Sequence, residues 1–145
     1  MADSMIGEES IIRRFDDLSD AAQDISPTFG TLAGKFAARE DSVFATNGWG
    51  KWAPRAPSTI AEGQSPLVQT GIMREGVTRR TPIWQKKRGA AFGAPKSDRR
   101  VWNVAVLNTV GHGGTPARLM VPPLRAAEKR DWLDVVRKHM GEALR

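Results

Sequence analysis

Side chains able to do chemistry are few and scattered in this chain. It has no cysteine, which excludes thiol catalysis, thiolate–metal ligation and disulfides. The only histidines are His112 and His139, which do not stand at metal-ligand spacing. His112 lies in a glycine-rich turn, Gly111-His112-Gly113-Gly114, that lacks the Lys-Ser/Thr and following helix of a phosphate-binding loop. His139 falls near the end of a helical segment, where the helix dipole favours a cation. Neither a GxSxG elbow nor an HExxH motif is present. Paired carboxylates occur only on exposed helical faces, where solvation accounts for them. No catalytic, cofactor-binding or metal-ligating set is expected, no cofactor, and no enzyme.

What the chain does have is separated charge. Its net charge is +6, yet residues 1–48 carry 4 basic and 9 acidic side chains, and residues 74–104 carry 9 basic and 2 acidic. Such a split suits nucleic-acid binding, or subunits that meet acidic face to basic face. The candidate contact residues are Asp16, Asp17, Asp20 and Asp24 on one side. Arg79, Arg80, Lys86, Lys87, Arg88, Arg99 and Arg100 stand on the other. Trp84, Phe92 and Trp102 are interleaved with these bases, as in surfaces that stack single-stranded nucleic acid.

The elements that must position these groups read as α+β. With 145 residues, 40% of them hydrophobic, the chain can build one modest core, so a single domain spanning 1–145 is expected. Ile11, Phe15, Leu18, Ala22 and Ile25 form a helical stripe, and Phe29, Leu32, Phe36 and Val43 continue it after Ser26-Pro27. This predicts helices over about 8–25 and 27–45, or one helix kinked at Pro27, with Ser26 as the cap before a first-turn proline. The stripe is expected to face the core, with a subunit contact as the other reading, and residues 1–25 would form a helical arm. Asn47-Gly48 ends this region. A long ordered loop over 46–70 follows, with a short helical turn at 58–62. Residues 72–84 read loosely as strand, 85–100 as a basic hairpin loop, and 101–107 as the clearest strand of a small antiparallel sheet. After Pro122-Pro123, Leu124, Ala127, Trp132, Val135, Val136, Met140 and Leu144 share one face of a closing amphipathic helix. No apolar run reaches the ~20 residues of a membrane span, and the first ten residues lack the apolar stretch of a secretion signal, so a soluble protein made in the cytoplasm is expected.

Residues 44–76, FATNGWGKWAPRAPSTIAEGQSPLVQTGIMREGV, carry a resemblance. In order and spacing they are similar to the virion-morphogenesis, or tail-completion, family of tailed bacteriophages, which is related to the minor tail protein Z group. Phe44, Gly48, Trp49, Trp52 and Pro54 match its first element, and Ser58, Thr59 and Ile60 match its Thr-bearing turn. Pro66, Leu67, Thr70, Gly71, Met73 and Arg74 match its third element, and residues 113–124 resemble its later small-residue turn and the tract before the closing helix. The family's Leu after Trp-x-Pro is replaced here by Arg55 or Ala56, and its later aromatic by Leu119-Met120-Val121. The resemblance implies a structural subunit at the head–tail junction of a virion (tail completion, tail terminator or neck). It would assemble with itself into a ring, by sixfold tail symmetry a hexamer. Its neighbours would be head-closure and tail-tube proteins, with passing contact with DNA and none with membrane. The alternative is a nucleic-acid-binding module using residues 79–100.

Overall fold

The computed structural model describes residues 2–53, 72–93, 99 and 121–145. Helix α1 (Ala2–Gln23) leads through a 3-10 turn (Ser26–Thr28) into α2 (Phe29–Ala45). A short helix α3 (Ile72–Val77) and a hairpin of β1 (Trp84–Lys86) and β2 (Gly89–Ala91) follow, and α4 (Ala126–Glu142) closes the chain. The described part is thus mixed α+β and mostly helical, with one small antiparallel sheet. No helix among the described residues is long and apolar enough to cross a membrane.

The break between α1 and α2 falls where Pro27 forbids a continuous ladder, but the capping differs from expectation. Asp24, rather than Ser26, supplies the acceptor: its Oδ1 receives the Ser26 N–H at 3.0 Å and the Ser26 hydroxyl at 2.5 Å. An Asx turn of this kind lets a short carboxylate replace lost backbone bonds. Those hydrogen bonds, with Lys87 and His139 nearby, hold the Asp24 carboxyl below its ordinary value of 3.8.

Helix α2 is the centre of the core. Phe29, Leu32, Ala33, Phe36, Ala37, Val43 and Phe44 are all buried, as its stripe predicts. Helix α4 runs antiparallel along it in a regular register: Arg39 meets Glu128, Lys35 meets Asp131 at 2.7 Å, and the Phe36 and Trp132 rings lie 6.5 Å apart. Phe92, just after β2, completes an aromatic trio, stacked on Phe36 at 5.7 Å and edge-on to Trp132 at 6.0 Å.

Past the start of α2, α4 reaches α1. His139 Nε2 lies 3.0 Å from the Asp24 carbonyl, so the neutral ring carries its proton on Nε2. Leu144 then packs beside Ile11, Phe15 and Leu18. This cover is thin. Leu18 and Ile25 are half-buried, but Ile11, Phe15 and Ala22 are exposed, so the upper stripe of α1 is not the core face expected of it. One leucine shields it, and no second element lies over it among the described residues.

Two further expectations are corrected. Residues 72–77 form helix rather than strand. A stretch this short is ambiguous by pattern alone, and tertiary contacts settle it: Val77 is fully buried in the core, and Arg74 pairs with Asp41 of α2 at 2.9 Å. The strands lie instead at 84–86, which keeps only the last residue of the strand read at 72–84, and at 89–91, within the segment read as a basic hairpin loop, with Trp84 opposite Ala91 and Lys86 opposite Gly89. Neither turn residue, Lys87 nor Arg88, has a positive φ. The turn is therefore not one of the mirror-image types whose twist suits a hairpin, and the ladder stops at three pairs. The strand read at 101–107 and the turn at 58–62 lie outside the described residues.

Candidate functional site

Four of the residues that carry the sequence resemblance, Phe44, Gly48, Trp49 and Trp52, come together where α2 ends. Asn47, Gly48, Trp49 and Gly50 have φ of +52°, +67°, +55° and +75°, four consecutive residues in the left-handed region. For tryptophan this conformation costs about 1–2 kcal/mol, and the surroundings hold it. Gly48 N–H donates to Val43 O at 2.7 Å, Gly50 N–H to Thr46 O at 2.8 Å, and Trp52 N–H to Asn47 O at 3.0 Å. Thr46 Oγ1 donates to Ser42 O and accepts the Trp49 N–H at 3.1 Å. The turn lays the Trp52 ring on the Gly48 backbone, so a Cβ at position 48 would stand 2.4 Å from the indole. Trp52 in turn packs edge-on to Phe44, with centroids 5.4 Å apart. The spacing Phe44, Gly48, Trp49, Trp52 is one interlocked unit: glycine for space and φ, aromatics for burial of about 150–250 Å² each.

Trp49 faces a second cluster, which pattern reading did not single out. The Arg39 guanidinium is buried and has a partner for each nitrogen. Nε donates to Glu128 Oε1 at 3.1 Å, Nη1 to Glu40, and Nη2 to the carbonyls of Pro122 at 2.6 Å and Pro123 at 2.9 Å. The Trp49 ring centroid lies 5.1 Å from this guanidinium and 4.2 Å from that of Arg125, within cation–π range of both. Glu128 also accepts the Arg125 N–H at 2.7 Å, closing the first turn of α4. Burial pushes the Glu128 carboxyl up, but its bonds to Arg125 and the charge of Arg39 outweigh this and leave it below the ordinary value.

Glu40 behaves differently. Its side chain is fully buried, and only Oε1 is satisfied, by Arg39; Oε2 has no donor. Burial pushes the carboxyl up to about 7, with Arg39 opposing incompletely. The arrangement orders four segments around one cation: α2, the left-handed turn, the Pro122-Pro123 entry strand and the start of α4. Its signal in the sequence was a charged pair, Arg39-Glu40, sitting on the row between Phe36 and Val43 that should be apolar.

The charged contact candidates lie elsewhere and apart. Asp16, Asp17 and Asp20 are exposed on α1, and Asp24 is half-buried at its end. Arg79, Arg80, Lys86, Lys87, Arg88 and Arg99 are exposed around the hairpin. Of the aromatics read as stacking platforms, Trp84 is exposed, whereas Phe92 is used up in the core trio. Arg100, Trp102, His112, Pro54, Pro66, Leu67, Thr70 and Gly71 lie outside the described residues. No group of three His, Asp or Glu side chains able to hold a metal occurs among the described residues.

No family model matches this chain. Nor does any curated protein or solved structure.

Proposed function

We propose that this chain is a structural virion subunit of a tailed phage, acting at the head–tail junction as a tail-completion, tail-terminator or neck protein that assembles into a ring. The observation that carries the reading is the way Phe44, Gly48, Trp49 and Trp52 serve the fold. These four of the residues behind the sequence resemblance form one packed turn whose chemistry is packing and cation–π contact. A subunit whose work is to hold shape and touch neighbours needs such a unit. The separated charges suit it too, because a ring is built from a heterologous contact that joins two different faces of each copy. Its neighbours in the particle would be head-closure and tail-tube proteins. Electron micrographs of the purified protein test this directly: closed rings, sixfold by preference, are expected, and a field of isolated monomers at high concentration would overturn it.

A nucleic-acid-binding module is the second reading, favoured by one feature. Trp84 is half exposed, with the Lys86 ammonium 5.8 Å from its ring centroid, at the edge of a hairpin bearing Lys87 and Arg88. Fluorescence anisotropy with a labelled single strand distinguishes the two. Binding whose log affinity falls with log salt, with a slope of several phosphates, favours this module; a flat, weak response favours the structural subunit.

A further inference from the structure

Two exposed surfaces, uncovered among the described residues, are complementary to one another, and we infer that the hairpin of one copy docks on helix α1 of the next. The inference rests on the ring reading and names the contact that would build it. On α1, Ile12 and Phe15 are 60% and 66% exposed; Phe15 borders the groove that Leu144 lines, and Ile12 lies outside it. Ile12, Asp16 and Asp20 form one row at intervals of four, with Glu9 beside it, so the open apolar strip has an acidic border. Of the helix's two bases, Arg14 lines the groove with Leu144, and Arg13 sits one turn from both Glu9 and Asp16, which leaves the border of Glu9, Asp16 and Asp20 net acidic. On the hairpin, Ile83 and Trp84 are 40% and 49% exposed, bordered by Arg80, Lys86 and Arg88, with no acidic residue from 76 to 93.

Ion pairing separates these surfaces from the rest. Asp41, Glu128, Asp131 and Asp134 each hold a cation within the chain. Among the described residues, Asp16 and Asp20, like Arg80, Lys86 and Arg88, take part in no ion pair. Apolar strip meets apolar strip, and an unpaired acidic border meets an unpaired basic one. Within one molecule the hairpin sits below the apolar end of the α1 patch. It is tied beneath α1 by the Ile25 N–H, which donates to Lys87 O at 2.8 Å, and Phe15 lies eight residues up from Gln23, the last residue of that helix, roughly 12 Å along its axis. A contact between unlike patches is heterologous, the kind that closes into a ring.

The test uses two double variants at exposed positions, Ile12→Asp/Phe15→Asp and Trp84→Ser/Arg88→Glu, with light scattering for mass and far-UV circular dichroism for fold. Each variant alone is expected at the single-chain mass of 15.9 kDa. Mixed in equal amounts, they should form a dimer that grows no further, because each supplies the face the other lacks. If either variant assembles like the wild type, or the mixture stays monomeric, the docking falls while wild-type rings leave the ring reading intact. A wild-type chain that is itself monomeric removes both. A charge swap guards against misfolding: Asp16→Lys/Asp20→Lys and Lys86→Glu/Arg88→Glu should each disassemble the protein, and their combination in one chain should restore it. Failure of that restoration counts against the docking.

Discussion

Helices α1 and α2 carry apolar stripes of the same period, yet their fates differ. Every large apolar side chain on the α2 stripe is buried, and even its charged residues Arg39 and Glu40 are drawn inside. Two turns into α1, Ile11, Ile12 and Phe15 stand in solvent, and the carboxylates beside them are unpaired. Periodicity states that a face is to be covered; it does not say by what. On α2 the cover comes from α4, Phe92, Trp52 and Val77 of the same chain. On α1, among the described residues, it stops at Leu144.

Substitutions can sharpen this contrast. The largest effect is expected at Arg39. Arg39→Ala strands Glu40 inside the protein and deprives Glu128 and two prolyl carbonyls of a donor, so a loss of about 3–5 kcal/mol is expected in chemical denaturation. A variant as stable as wild type would deny α2 its hub. Gly48→Ala comes next. The new methyl enters the Trp52 ring at a residue with φ +67°, and about 2–3 kcal/mol with a blue-shifted, weakened Trp52 environment in near-UV dichroism is expected.

Glu40 gives a pH signature. Its carboxyl titrates near 7 in the folded chain against an ordinary value of 4.5, so between these values the folded state holds a proton that the unfolded state has released. Stability should therefore fall as pH rises from about 4.5 to about 7, by at most ~1.4 kcal/mol per pH unit. Glu40→Gln should flatten that slope, and a wild-type stability unchanged across the window would refute the assignment. The smallest effect belongs to α1: Phe15→Asp should change the unfolding free energy of the isolated chain by no more than about 0.5 kcal/mol. A loss like that at Arg39 would mean that this face is covered within the chain after all.

How much of this was legible beforehand follows from the same distinction. The helices, the break near Pro27 and the closing helix follow from spacing, because burial on one face leaves a periodic trace. The turn at Asn47-Gly48 was readable from residue type, since few residues accept left-handed backbone. Residues 72–77 misled, because six residues hold too little period to oppose the pull of Asp41 on Arg74. The two three-residue strands left no mark in a stretch dominated by Lys, Arg and Gly, where no alternation exists to be read. The Arg39 hub depends on partners up to 89 positions away, and no local pattern announces such distant pairing.

That separation along the chain bears on how the protein is born. Beyond its neighbour Glu40, Arg39 finds its acceptors at Pro122, Pro123 and Glu128, and Lys35 pairs with Asp131. During translation the α2 segment must leave the ribosome with Glu40 as the one near partner of that guanidinium and with its aromatic face bare, waiting for some eighty further residues to be synthesised. Closure of this core therefore waits for α4, and a nascent chain arrested before that helix would be caught as an adhesive, protease-sensitive intermediate.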